Sequence, residues 1–504
     1  MSELTLARLR AEGERFTEEL SRESFLAHAG LKVEAELAPI YRRYEHVSGP
    51  EALEFTLDLF HSTPAASDEC RSARTLLEWQ VDANVSRALV ELEEREIAWE
   101  SSAMISVAAG RAIPYQRAPI EIANAADRAE RHVLDDARAR AAGAEHAPLR
   151  RERLQREREL VESFGIAEGY MATFEALTGV SLEKLRAQCA AFLRDTQSMW
   201  DDVLPRFLKR SLGVAAGAAT RADALRLFRA AEFDAGFPAR ALASAVNRQV
   251  VEMGLDPTAG GRIIYDLDER EGKRSRAFCA PVRVPDEVYL VLRPHGGQSD
   301  YTTLLHELGH ALHFAHAASD LPFEFRWLGD NSVTETYAML FDHRMHDRGW
   351  LRRYTQLGKR LDGFRRMMAF EELHFIRRYC AKLLYEMDVY GHAGAWDGLA
   401  DNYVEQLSAA TGFTYRPEDA FIDLDPGFYS ARYLRAWQLQ ALLNDSLTEN
   451  FNDDWYRNPA SGPWLAGDLL ARGQRDTADE IARQLGGELS FEPLQRAVER
   501  GLAS

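Results

Sequence analysis

Two histidines four residues apart, with a glutamate beside the first, form the part of this chain best suited to chemistry: His306-Glu307-Leu308-Gly309-His310. On an α-helix a spacing of four brings a side chain back to within about 40° of its starting direction, one turn further along. Both imidazoles can then reach one metal ion. Glu307 lies next to that face, where it can take a proton from a water that the metal activates. Leu304, Leu305, Leu308, Ala311, Leu312 and Ala315 make the helix apolar nearly all round, with Ser299 or Asp300 available as its cap. Two histidines and a glutamate in so buried a helix are costly unless paired or bound to metal, which favours one zinc ion over histidines satisfied by hydrogen bonds.

A third ligand must come from elsewhere. His316 stands where the third histidine of HExxHxxGxxH would stand, but His313 occupies the place of its helix-breaking glycine. A helix that continues turns His316 about 120° away from His310. Glu335 follows Asp330-Asn-Ser-Val-Thr in what reads as a capped second helix, 335 − 310 = 25 residues on, and is the favoured ligand. His313 is expected to make core contacts or to support a ligand. Asp330 and Glu324 are candidates to orient a ligand imidazole through its other nitrogen, or are a cap and a loop charge.

These side chains need elements to hold them. From residue 2 to about 250, apolar residues recur at three- and four-residue spacing, which predicts helices. The Arg- and Glu-rich stretch Ala125–Glu162 reads as a long helix with solvated faces and i,i+4 ion pairs. Beyond Gly254 three short runs favour strands: Arg262–Leu267, Arg276–Val282 and Glu287–Arg293, separated by turn-rich DEREGK and RVPD. A small antiparallel sheet is expected, with Pro281 suited to an edge strand. If that edge borders the metal, its backbone around Ala280 could pair with an extended substrate. Cys279 reads as a packed thiol, since metal chemistry needs no thiolate. Helix returns after Gly297, and late in the chain Tyr429, Tyr433, Trp437 and Gln440 lie along one face, as core packing or as catalytic groups. The expected division is a helical lobe, 1–253, and a catalytic lobe, 254–504.

The segments YDLDEREGKRSRAFC (265–279), DYTTLLHELGHALH (300–313) and LLARGQRDTADEIARQLG (469–486) resemble the thimet oligopeptidase and oligoendopeptidase F family of zinc metallopeptidases. DLPFEFR (320–326) and SARYLRAWQLQ (430–440) are similar to the angiotensin-converting-enzyme family. The resemblance implies a mostly α, two-lobed helical ellipsoid with a deep channel that admits unfolded peptides. It implies zinc on His306, His310 and Glu335, Glu307 as general base, and Tyr433 as donor to the oxyanion with Arg432 beside it. Ala280, Tyr429 and Arg432 are then the candidate substrate contacts. The late loop departs from the family: it has no histidine, Phe428 fills one plausible tyrosine slot and Arg435 another.

Composition agrees with a folded enzyme that is not a general nucleic-acid binder. The 504 residues are 46% hydrophobic and 28% charged, and 61 Lys and Arg against 79 Asp and Glu give a net charge of −18. Four dispersed cysteines, Cys70, Cys189, Cys279 and Cys380, form no CxxC pair and no disulfide framework. With no signal-like start and no apolar run of about 20 residues, the expected location is the cytoplasm, away from membranes. The partner is a peptide substrate. The alternatives are a zinc hydrolase dedicated to one processing substrate or to a non-peptide amide, and a non-catalytic helical binding protein.

Overall fold

A computed structural model describes residues 4–64, 67–107, 111–274, 276–392, 394 and 396–503. The three- and four-residue apolar spacing becomes helix along most of the chain, as expected. None of the described helices is long and apolar enough to cross a membrane. The chain folds into two compact units, one of Met1–Asn84, Glu232–Met368 and Arg435–Ser504, the other of Val85–Ala231 and Ala369–Leu434. Neither unit is a continuous half of the sequence.

The first unit holds the expected sheet. Its strands are β3 (Ile263–Asp266), β4 (Phe278–Arg283) and β5 (Glu287–Val291); β1 (Met104–Ser106) and β2 (Ala112–Pro114) belong to the other unit. The order is β3-β5-β4, with β4 antiparallel and β3 parallel to β5, so the sheet is mixed and not antiparallel throughout. The segment DEREGK, which reads as a hairpin turn, is instead a crossover that carries the chain to the far edge of β5. Lys273 pins it from beneath: its buried ammonium donates to the carbonyls of Asp266, Asp268 and Leu292 at 2.9, 2.8 and 3.1 Å. Pro281 does lie on an edge strand, where its missing N–H breaks no ladder bond. Helix α1 (Leu6–His28) packs on this sheet, with Phe25 stacked on Tyr289 at 3.9 Å and buried with Ala29, Ala280, Val282 and Val291.

The second unit has a two-stranded antiparallel sheet, β1 (Met104–Ser106) and β2 (Ala112–Pro114), where only helix was expected. Three-residue strands carry too little alternation to stand out. Each contributes one buried residue, Ile105 and Ile113, to a cluster with Ile122 and Leu134. The Arg- and Glu-rich stretch also departs from expectation. It is two helices, Arg128–Ala141 and Ala147–Ser163, joined by a π-turn, and several of its charges are buried. Arg138 grips Asp419 with two bonds of 2.7 and 3.0 Å, and Arg131 donates to Asp223 at 2.9 Å. Glu96 accepts from Arg150 and Arg153 and pairs with His146 at 3.2 Å.

Burial alone would raise the Glu96 carboxyl, but His146, Arg150 and Arg153 outweigh it and bring it down to about 2. A carboxylate depressed on folding contributes stability that is present above its unfolded value and lost as pH falls towards its folded value. Acid unfolding should therefore weaken this unit between about pH 5 and pH 2. Glu96→Gln should lower stability at pH 7 by about 3 kcal/mol, since it leaves buried guanidinium groups uncompensated. It should also flatten the acid dependence, as read by denaturation monitored through helical circular dichroism.

Candidate metal centre

Helix α2 (Gln298–His316) carries the two histidines and helix α3 (Asn331–Asp342) carries Glu335. The first turn of α2 is built differently from the expected Ser299 or Asp300 cap. Gly297 is the N-cap, with φ 93°, and a Cβ there would lie 2.8 Å from Asp234 Oδ1. Asp300 turns back and accepts the N–H groups of His295 and Gly296, both at 2.6 Å.

The two helices meet at Gly309. A Cβ on Gly309 would stand 2.3 Å from the Tyr337 carbonyl oxygen and 2.5 Å from the Ala338 Cα, both backbone atoms that no rotamer change can move aside. Glycine inside a helix costs about 1 kcal/mol relative to alanine; here it lets the backbones touch. His306 faces Asp342 and His310 faces Thr334, so the helices run in opposite directions.

Glu335 Oε2 lies 3.4 Å from His306 Nε2 and 3.7 Å from His310 Nε2, and all three ligand atoms fall within 4.8 Å of one another. Donors about 2.0–2.1 Å from a tetrahedral zinc ion are about 3.3 Å apart, so the spacing fits such an ion. The outer ring nitrogens are also held: His306 Nδ1 bonds Asp342 Oδ2, and His310 Nδ1 bonds Thr334 Oγ1, each at 2.8 Å. Both rings thus aim Nε2 inward.

Electrostatics point the same way. Burial lowers His310 to about 4, so its imidazole is neutral, and with Nδ1 donating to Thr334 Oγ1 its inner nitrogen would keep a lone pair. Burial also opposes charge on His306, but Asp342 and Glu335 outweigh it and raise it well above the ordinary value. Burial alone would raise Asp342, but His306 and His343 bring it down to about 2. Three acids, Glu335, Asp342 and Glu307, thus gather around the two imidazoles, a setting that suits a cation. Burial pushes the Glu307 carboxyl up. Its Oε2 accepts the Cys279 N–H at 2.7 Å. Burial and Glu307 together push the Cys279 thiol well up, leaving it a poor nucleophile.

The remaining candidates lie as follows. His313 is buried with Nε2 on the Gly473 carbonyl at 3.0 Å and its ring 4.8 Å from that of Tyr337, a neutral core histidine that burial lowers to about 4. His316 Nδ1 bonds the Leu312 carbonyl of its own helix. Asp330 caps α3 through the Ser332 N–H at 2.9 Å and meets Arg435 at 3.3 Å; Arg435 also pairs with Asp479 at 2.8 Å. Glu324 is clasped by Arg10 and Ser72. The carboxylate that meets a ligand imidazole is Asp342, which sequence reading overlooked. Its signal was the seven-residue spacing from Glu335, which returns to the same helical face.

Because Cys279 N–H points outward to Glu307, strand alternation turns the peptide groups of Ala280 inward onto β5, opposite Tyr289. The outward backbone therefore belongs to Cys279 and Pro281, not Ala280. Tyr429, Arg432 and Tyr433 belong to the second unit. There Tyr433 stacks on Tyr379 at 5.5 Å and lies 5.1 Å from the ring of Tyr429, while Arg432 is buried over the Phe174 ring at 5.7 Å.

No protein-family model and no curated protein sequence matches the chain. Solved structures do, over nearly its whole length. PZ peptidase A with an inhibitor is 14% identical with a TM-score of 0.68, covering 99% of this chain and 97% of its own. The M32 carboxypeptidase from Deinococcus radiodurans R1 is 15% identical with a TM-score of 0.63, covering 99% of each chain. Trypanosoma cruzi metallocarboxypeptidase 1 is 14% identical with a TM-score of 0.61, again covering 99% of each. The chain has the metallopeptidase fold of these proteins, as the sequence resemblance implied.

Replacing Asp342 by Asn keeps the shape but removes the charge behind His306. Zinc affinity should fall by about 10–100-fold with the fold intact, as measured by chelator competition alongside circular dichroism.

Proposed function

We propose that this chain is a zinc-dependent metallopeptidase that hydrolyses peptide bonds in short unfolded peptides, with one zinc ion held by His306, His310 and Glu335. The observation that carries the reading is the convergence of two Nε2 atoms and one carboxylate oxygen at tetrahedral-ligand spacing, with both outer ring nitrogens engaged. The metallopeptidase fold supports it. When bound, the ion supplies Lewis acidity to a water and to the scissile carbonyl.

The protein's own groups do the rest. Glu307 takes the proton of the attacking water and passes it to the departing amine; its raised affinity for protons, caused chiefly by burial, suits both halves of that task. Asp342 and Thr334 keep the two imidazoles from turning. Tyr433 is the proposed donor to the developing oxyanion; this role rests on the resemblance of SARYLRAW, and the half-buried placement of Tyr433 on its helix agrees with it. The limit to short unfolded peptides and the cytoplasmic location rest on the same sequence reading.

Glu307→Gln should retain zinc and lose about 10²–10⁴-fold in kcat, measured on a peptide mixture by mass spectrometry together with bound-metal analysis. An unchanged rate would remove Glu307 from the mechanism. The cleavage map from the wild type distinguishes endopeptidase from carboxypeptidase action. Silence across varied peptides would point to a dedicated substrate or a non-peptide amide. Tyr433→Phe should lower kcat by about 10²–10³-fold with little change in KM, read from steady-state kinetics on the best peptide so found.

A further inference from the structure

The metal-facing imidazoles are oriented by side chains, Asp342 and Thr334, but the base beside them is not. Among the described residues, the hydrogen bond to Glu307 comes from the backbone N–H of Cys279, at 2.7 Å on Oε2. That N–H is on the open edge of β4, and the next outward position is Pro281, which has none. The edge therefore offers one donor in this stretch, and it is directed at Glu307.

We propose that the Cys279 peptide N–H is the positioning group of the base: it holds Oε2 of Glu307 and leaves Oε1 to move the proton. The inference rests on the peptidase reading above. A carboxylate on a glutamate side chain turns broadly about its last torsion. A short bond from a neutral donor to a charged acceptor in a buried place restricts that rotation. Because the donor is backbone in a sheet anchored by α1 and by the Lys273 crossover, it holds its place regardless of the side chain at 279. A misplacement of the base by about 1 Å is enough to cost about 10²-fold in rate.

Proline at 279 removes the N–H and nothing else from the ladder, since the edge already carries Pro281 in the same outward phase. The reference is Cys279→Ala, which removes the thiol and keeps the N–H. Relative to that reference, Cys279→Pro should have kcat lower by about 10²-fold, with KM and zinc content the same. Equal kcat in the two variants would overturn the proposal, as would a loss expressed only in KM. Should the proline variant fail to fold, a semisynthetic backbone ester at 279 removes the same N–H without the ring and carries the same two outcomes. Independent of turnover, Cys279→Pro should shift the denaturation midpoint more in the wild type than in a Glu307→Ala background. Equal shifts would show that the N–H does not act through Glu307. If the zinc-loaded wild type cleaves no peptide, the functional reading fails, and the denaturation cycle still decides whether this bond anchors Glu307.

Discussion

The metal centre depends on a missing atom. Gly309 has no Cβ, and so the backbone of α2 touches that of α3 at Tyr337 and Ala338. The arrangement of Glu335, Thr334 and Asp342 about the two imidazoles follows from that separation. With the helix axes this close, Glu335 reaches the pair of Nε2 atoms, Thr334 reaches the back of one imidazole and Asp342 the back of the other. A methyl group at 309 could be accommodated only by moving a helix, because the obstructing atoms are main chain. The helix tolerates the glycine because α2 is buried on nearly every side, and burial of Leu304, Leu305, Leu308 and Leu312 far outweighs a propensity loss of about 1 kcal/mol.

A second constraint separates this cluster from others that look alike. Glu96, Glu100 and His146 also bring three ligand-type atoms within 4.8 Å of one another. There the guanidinium groups of Arg150 and Arg153 already neutralise Glu96, so the cluster is a closed structural network. At His306, His310 and Glu335 the carboxylate lies against the two inner Nε2 atoms, and two more acids, Asp342 and Glu307, stand close by. The two clusters differ in what faces their carboxylates: guanidinium groups at Glu96, imidazole nitrogens at Glu335. Acids gathered around imidazoles are a setting that a bound cation would stabilise.

Much of this was legible in the sequence, and the parts that were not share a cause. His306, His310 and Glu335, singled out from helical spacing and chemistry, do come together in the fold, with Glu307 beside them. Asp342 escaped because an acid at the end of a helix looks like an ordinary polar residue until the facing helix is in place. Asp330, four places before Thr334 in a capping position, drew attention that belonged seven residues beyond Glu335. The β3 topology escaped for a similar reason: a crossover and a hairpin use the same turn residues, and only the buried ammonium of Lys273 shows which was made. In the Ala125–Glu162 stretch, local i,i+4 spacing suggested solvated pairs, whereas Arg131 and Arg138 find their partners about ninety and about three hundred residues away. Long-range pairing leaves no local pattern.

Two contacts at the site, Gly309 against Tyr337 and Cys279 N–H against Glu307, depend on main chain at 309 and 279. Contacts of this kind constrain side-chain identity very little. Position 309 must lack a Cβ and, on the proposal above, position 279 must keep its N–H; most surrounding residues need only preserve apolar volume, because cores accept substitution if volume and pattern persist. A site held this way can keep its geometry while most of its sequence changes. The residues that then stay legible are the proposed ligands and base, and the functional proposal starts from them.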